Sequence, residues 1–193
     1  KARILDVASE EVPWAAGSAW APCITKKNDQ YYFYFCAKNK EGVSCIGAAV
    51  SKSPAGPFTA MDTPLVTLEM VREKGIEMAQ TIDPSVYREG EDYYLILGNT
   101  AAAVAKLSED LLHIEEDSLR QIEGLEDFRE ALTVFKRKGR YHFTWSCDDT
   151  GSEDYHVNYG VSDSLWGPVT FIGTVLSKEP CKDILGTGHH CIL

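Results

Sequence analysis

The chain has 193 residues, of which 44% are hydrophobic and 25% are charged, and its formal net charge is −10. This composition is typical of one globular domain with a sizeable core. No apolar run approaches the roughly 20 residues of a membrane span, and a net negative chain repels phosphate backbones, so we expect neither a membrane nor a nucleic acid as partner.

Three segments of the chain share one plan, in which a polar turn is followed by an aromatic doublet and an alternating strand. In chain order they are NDQYYFYFCA from residue 28, GEDYYLILGN from residue 90 and KGRYHFTWSC from residue 138. A second repeat follows two of them, since IGAAVSKSPAGPF at 46–58 resembles YGVSDSLWGPV at 159–169. Short strands recurring at a period of about 50–60 residues are typical of propeller blades.

The repeats predict an all-β fold, a β-propeller, with about three complete blades at roughly 19–62, 82–122 and 129–176. Residues 1–10 are expected to be the outer strand of one partial blade, and residues 186–193 part of another. A closed propeller needs at least four blades, so we expect this chain to be an internal piece of a single catalytic domain, truncated at both ends. Residues 65–79 are expected to form an irregular connection with a turn of helix.

The six cysteines include no C-x-x-C pair, so they do not predict a metal site. Cys36 and Cys45 flank a turn symmetrically, and in a hairpin they would face each other. Both a disulfide and two buried free thiols are compatible with this spacing, and we favour the thiols. The acidic run at 147–154 lacks the pattern of a calcium loop, and we interpret it as a solvated loop.

Four side chains lie about eleven residues before the aromatic doublets, or at the matching interval near the C-terminus: Trp20, Asp83, Glu130 and His189. These positions are where innermost strands begin, so the four side chains should converge on the propeller axis. Each has a plainer alternative. Asp83 could cap a turn before Pro84, Glu130 could be a surface acid, Trp20 could be core and His189 a structural histidine. Two carboxylates beside an aromatic wall suit glycoside hydrolysis.

Several motifs resemble glycoside hydrolase family 43: Trp-Ala-Pro at 20–22, SKSPAGPF at 51–58, Ile-Asp-Pro-Ser at 82–85 and GTGHH at 186–190. The resemblance runs through essentially the whole chain. It implies a five-bladed propeller in the intact domain, with Glu130 as general acid and Asp83 tuning and orienting it. It also implies that Trp20 walls the sugar site and that His189 binds near it. The family usually has Gly-Pro after the general acid, whereas this chain has Ala131-Leu132.

The resemblance implies an inverting glycosidase of the α-L-arabinofuranosidase or β-xylosidase type, acting on arabinan, xylan or their pentose oligosaccharides. The family's catalytic base is an Asp of the first blade, which we place upstream of Lys1, so residues 1–193 alone should be nearly inactive. The rival hypothesis is a non-catalytic carbohydrate-binding propeller or a degenerate member. We expect that no cofactor is required. A structural Ca²⁺ could bind near the axis, with His189 contacting it through water. A secreted or periplasmic location is favoured over the cytoplasm.

Overall fold

The computed structural model describes residues 3–192. These residues contain three four-stranded sheets, in each of which consecutive strands pair antiparallel as in the blades of a propeller. The first blade consists of β1 (Ala15–Lys27), β2 (Gln30–Asn39), β3 (Ser44–Ser51) and β4 (Thr59–Ala60). The all-β propeller predicted from the repeats is therefore confirmed.

The other two blades repeat this order along the chain. The second blade consists of β5 (Ser85–Glu89), β6 (Asp92–Asn99), β7 (Ala101–Lys106) and β8 (Arg120–Ile122). The third consists of β9 (Phe128–Arg137), β10 (Arg140–Cys147), β11 (His156–Ser162) and β12 (Thr170–Leu176). The innermost strands β1, β5 and β9 contact one another in succession, so their first residues approach a common axis.

The core lies between the blades. Tyr93 and Leu95 of β6 belong to the cluster between the first and second blades, whereas Tyr94 packs against the cluster between the second and third. The aromatic doublet therefore places one ring on each face of a strand, because successive side chains alternate. Trp145 of β10 is fully buried in the second cluster, and burying a large apolar side chain contributes about 1.5–3 kcal/mol.

The second sequence repeat corresponds to the same turn in two blades. After β3, the Ser53 amide donates to the Ser51 hydroxyl, and after β11 the Ser164 amide donates to the Ser162 hydroxyl. A cis Gly-Pro peptide follows in each case, at residues 56–57 and 167–168, before the outer strand begins. This confirms the predicted strand, Ser-x-Ser turn and Gly-Pro order.

The connection between the first two blades contains one short helix, α1 (Leu68–Glu73). The Thr67 hydroxyl caps it by accepting from the Met70 amide at 3.3 Å, and Leu68 and Val71 are buried in the first core cluster. The predicted turn of helix is thus present. Within residues 3–192, no helix is both long and apolar enough to cross a membrane.

The chain ends differ from the expected partial blades. Residues 3–10 form turns instead of an outer strand, because the Arg3 guanidinium binds the carboxylates of Asp6 and Glu11 and no described strand pairs with the segment. Residues 186–192 also lack strand structure, since a strand requires a hydrogen-bonded neighbour. Lys1, Ala2 and Leu193, which these predictions included, lie outside the described residues.

The expectation that Cys36 and Cys45 face each other is wrong. Cys36 pairs with Ile46 and Cys45 with Ala37, because five residues, 39–43, lie between the last pair, Lys38 and Ser44. Cys36 and Cys45 could face each other only across an even number of residues. Both cysteines are buried free thiols, as the plainer alternative predicted. Burial raises the pKa of Cys36 to about 12, so the thiol stays protonated at neutral pH.

Candidate active site

The same β-bulge interrupts the inner strand of every blade. In β1, residues 21–22 lie opposite one residue of β2, and in β9 residues 131–132 lie opposite one residue of β10. Ahead of β5, the Gly98 amide donates to the Ile82 carbonyl while Ser85 pairs with Ile96, which leaves residues 83–84 opposite one residue. A bulge re-aims the neighbouring side chains, and bulges are common beside active sites.

The bulges correct the sequence alignment by one residue. The first bulge residue has positive φ in each blade, at 35° for Ala21, 54° for Asp83 and 55° for Ala131, and His189 shares this conformation at 52°. Trp20 and Glu130 each lie one residue before the bulge of their own strand. Asp83 is itself the first residue of a bulge, and His189 has the same positive φ as such a residue. The four predicted side chains are therefore not equivalent in position, although all lie near the axis.

The two carboxylates lie together and are buried. Asp83 is 7% exposed and Glu130 is 6% exposed. One oxygen of each and one ring nitrogen of His189 lie within 4.8 Å of one another. Asp83 Oδ2 accepts a hydrogen bond from the Ala131 amide at 3.1 Å and lies 3.8 Å from His189 Nδ1. Asp83 therefore holds the backbone next to Glu130.

Burial raises the pKa of Asp83 to about 6. The charge of His189 opposes this increase, the charge of Glu130 adds to it, and the Ala131 amide opposes it. Since a buried carboxylate loses hydration, the protonated form is favoured unless nearby positive charge or donors compensate. At neutral pH the ionised Asp83 is consequently held at a cost to folding.

Two further residues contact Glu130, and the sequence analysis did not identify either. The Tyr155 hydroxyl donates to Glu130 Oε1 at 2.8 Å, and Asn99 Nδ2 donates to Oε2 at 3.0 Å. Asn99 carried a signal that could have identified it, because the aligned repeats have Ala37 and Cys147 at its position. Tyr155 lies in the loop before β11, outside the repeated segments, and offered no such signal.

The carboxylates open into a cavity of about 460 Å³. Trp20 lies on its wall, 45% exposed, with Lys38 Nζ 5.7 Å from its ring centroid. Arg129 and Thr150 also line the cavity, and Arg129 Nη2 binds Asp149 at 2.9 Å, which ties the loop after β10 to the rim. A second cavity of about 500 Å³ shares Asp83 and His189 with the first.

The donor set does not match a calcium site. Ca²⁺ takes six to eight oxygen ligands. Here Asp83 and Glu130 provide the only two carboxylates among the described residues that line the cavities, and three of their four oxygens already accept or face other groups. Two carboxylates would supply only a minority of those ligands, so most would have to be carbonyl oxygens or water, and the suggested Ca²⁺ near the axis stays a prediction.

Blades of antiparallel strands define a β-propeller, and a pair of buried carboxylates beside an aromatic wall is the arrangement that glycoside hydrolysis requires. The chain belongs to glycosyl hydrolases family 43, whose sequence model matches residues 3–193.

Curated and solved relatives agree with this assignment. The chain is 31% identical to xylosidase/arabinosidase 43A of Humicola insolens over 95% of its length and spans 65% of that protein. An α-L-arabinofuranosidase structure from Clostridium thermocellum matches with a TM-score of 0.78 at 28% identity, covering 97% of this chain and 61% of the other. A family-43 enzyme from Xanthomonas citri complexed with xylotriose matches with a TM-score of 0.71 at 26% identity, covering 86% and 58%.

Proposed function

We propose that the protein is a glycosidase that hydrolyses pentose glycosides of the xylan or arabinan type, with Glu130 as general acid. The observation that supports this most is the pair of carboxylates, 6% and 7% exposed, at the wall of a sugar-sized cavity beside Trp20. A side chain so placed can deliver a proton to a glycosidic oxygen, and Trp20 offers its ring face for stacking on a sugar.

In this proposal Asp83 orients Glu130 and does not activate water. Acid and base in an inverting site are roughly 6.5–9.5 Å apart so that a water fits between them. One carboxylate oxygen of Asp83 and one of Glu130 lie within 4.8 Å of each other, and this close approach favours an orienting role for Asp83 over that of a base. The Asp83–Ala131 hydrogen bond gives the orienting role a physical basis, because it fixes the strand at the acid.

The proposed reaction proceeds with inversion. Its base would be an Asp of the intact domain that is not among residues 1–193, as the family resemblance implies, and residues 1–193 alone would then be nearly inactive. Proton NMR of the first-formed sugar tests the stereochemistry, since inversion requires that the product's anomer is opposite to the substrate's. A product of the same anomer would exclude this arrangement.

The substrate proposal rests on the activities of the relatives, one of which is a xylosidase/arabinosidase and another an α-L-arabinofuranosidase. Both sugars are pentoses that differ in ring size and hydroxyl placement, so the test must include both. Hydrolysis of aryl β-D-xyloside and aryl α-L-arabinofuranoside should be measured with the protein expressed at the full length of its gene.

Glu130→Gln tests the acid. We expect it to lose about 10²–10⁴-fold in activity on substrates with poor leaving groups, and less on nitrophenyl glycosides, because general acid catalysis contributes about that much. Glu91→Gln is the matched control, since the Glu91 side chain is 89% exposed in a turn. Equal activity of Glu130→Gln and the parent would exclude Glu130 as the acid.

One observation favours the alternative, a carbohydrate-binding propeller without turnover. Both oxygens of Glu130 accept hydrogen bonds from buried donors, which fixes the carboxyl group in one orientation as a binding contact would require. A well-folded protein that is inert on xylosides, arabinofuranosides, xylan and arabinan but binds xylo-oligosaccharides in calorimetry would establish this alternative.

A further inference from the structure

The cavity beside Glu130 has walls from all three blades. Trp20 lies on the wall that the first blade forms, and Asp83 lies at the start of the second blade. The third blade contributes Glu130 together with Arg129 and Thr150. Glu130 is 6% exposed, whereas the Arg129 side chain is 35% exposed, so Arg129 lies nearer to the rim than the proposed acid. The third blade therefore presents a carboxyl group in the depth of the cavity and a cation at its mouth.

The guanidinium of Arg129 is only partly used by the fold. Its Nη2 donates to Asp149 at 2.9 Å, and the Asp149 side chain is 61% exposed. An exposed ion pair of this kind contributes little to stability. Arg129 Nε is buried and donates to no residue within 3–192, which is an unfavourable arrangement. These contacts give Arg129 little value for stability, and N–H groups of the guanidinium that do not bind Asp149 can donate to a ligand at the rim.

The position of the acid determines where a leaving group would lie. A general acid must come within about 2.6–3.2 Å of the glycosidic oxygen that it protonates. With the cleaved sugar stacked on Trp20 of the first blade, this oxygen faces Glu130 on the third blade. The rest of an oligosaccharide must continue from that oxygen towards solvent. On the wall of the third blade it then meets the two residues nearest the rim, Arg129 and Thr150.

We propose that Arg129 binds hydroxyl groups of the leaving-group sugar, so that the preferred substrate is an oligosaccharide and not a simple alkyl glycoside. This inference rests on the proposed function. A guanidinium presents its N–H groups in a planar fork, and two of them can donate to neighbouring hydroxyl oxygens of one sugar ring. Asp149 holds the fork in place. The Thr150 hydroxyl lies on the same wall and can donate to the same sugar or accept from it.

The test compares a disaccharide with a methyl glycoside of the same pentose, in the protein expressed at the full length of its gene. Both leaving groups need protonation, so a change that merely weakened Glu130 as an acid would slow both reactions. Only the disaccharide has a second sugar for Arg129 to bind, and the parent should prefer it. For Arg129→Gln we expect kcat/KM to fall about 10- to 100-fold on the disaccharide, the effect of losing a hydrogen bond to a charged group, and less than about 3-fold on the methyl glycoside.

Two variants separate a contact with the sugar from an effect on the loop. Asp149→Asn keeps Oδ1, which accepts from the Gly151 amide, and removes the oxygen that Arg129 binds. We expect this variant to lose less activity on the disaccharide than Arg129→Gln does. Arg88→Gln is the matched control, because it removes another exposed ion pair, to Glu91 in the β5–β6 hairpin, and it should change neither reaction.

An equal loss on both substrates, or no loss for Arg129→Gln, would overturn the inference, as would a parent with no preference for the disaccharide. It would also be overturned if Asp149→Asn lost as much as Arg129→Gln, because the ion pair would then explain the effect. If Arg129→Gln does not fold, Arg129→Met replaces it in the test, since Met keeps the apolar stem. A parent that is inert on xylosides and arabinofuranosides refutes the proposed function and this inference with it, whereas an active parent with an unselective Arg129 variant refutes the inference alone.

Discussion

Replacement of Asp83 by Asn should stabilise the protein above pH 6 while removing activity. The pKa of Asp83 rises from 3.8 to about 6 in the folded state, chiefly through burial. Such a difference corresponds to about 3 kcal/mol of folding free energy, since one pKa unit is about 1.4 kcal/mol. The Asn side chain keeps an acceptor for the Ala131 amide, so the orienting hydrogen bond can persist.

The sign of the effect follows from proton binding. Between pH 3.8 and about 6 the folded protein holds the Asp83 proton and the unfolded chain does not, so stability falls as the pH rises through this interval. The penalty is fully present above about pH 6 and absent below 3.8. His189, Glu130 and the Ala131 amide are the groups that face Asp83, and burial outweighs their combined effect on its pKa.

The assay is urea unfolding of the parent and of Asp83→Asn, followed by tryptophan fluorescence, at pH 4 and pH 8. We expect the free energy of unfolding of the variant to exceed that of the parent by about 1–3 kcal/mol at pH 8, and by little at pH 4. The gain at pH 8 can fall below about 3 kcal/mol because the amide hydrogens of the new Asn need acceptors in a buried place. Asp163→Asn, whose side chain is 88% exposed, should change stability little at either pH. The same difference between parent and Asp83→Asn at both pH values would refute the reasoning.

Three further predictions concern stability, binding and thiol chemistry. Ala131→Gly should change the free energy of urea unfolding by less than about 1 kcal/mol, because relief of a positive φ offsets the lost methyl group, whereas Ala131→Val should cost about 2 kcal/mol or more; a large loss for the Gly variant would contradict this. Trp20→Ala should weaken xylo-oligosaccharide binding in calorimetry with little effect on thermal unfolding, since the ring is 45% exposed; unchanged binding would argue against the stacking role. Ellman's reagent should label Cys181 and Cys191 well before the buried thiols, and early labelling of Cys36 would show that its burial is wrong.

The fold could be predicted because its signal is repeated. In the first two blades the aromatic doublet places one ring in each of two cores, on opposite faces of the strand. In the third blade Tyr141 packs in a core, whereas His142 stacks on Phe135 and Tyr159. The turn residues also recur, because Ser51 and Ser162 make the same hydrogen bond. Residues 3–10 lacked such a pattern, and their short apolar run could not show that they would form turns.

The positions near the axis were predictable only to within a residue. Counting back from the doublets identifies Asp83 and Glu130. No residue type in the sequence shows that Glu130 precedes the bulge of its strand whereas Asp83 is the first residue of its own. Asn99 could have been identified from the sequence, because the other two repeats have Ala37 and Cys147 at its position and Asn99 alone is strongly polar. Tyr155 and Arg129 could not have been identified as site residues from the sequence. Tyr155 lies in a loop outside the repeats, and Arg129 is a cation beside an acid, which is a common arrangement on protein surfaces.

The bulge explains why the two acids meet. A bulge leaves an amide without its partner in the ladder. In β9 that amide belongs to Ala131, and Asp83 of the neighbouring blade accepts from it. The backbone irregularity beside one carboxylate is therefore the anchor for the other. Glu130 directly precedes the bulge of the third blade, and Asp83 is the first residue of the bulge of the second blade. This placement brings one carboxylate oxygen of each within 4.8 Å of the other.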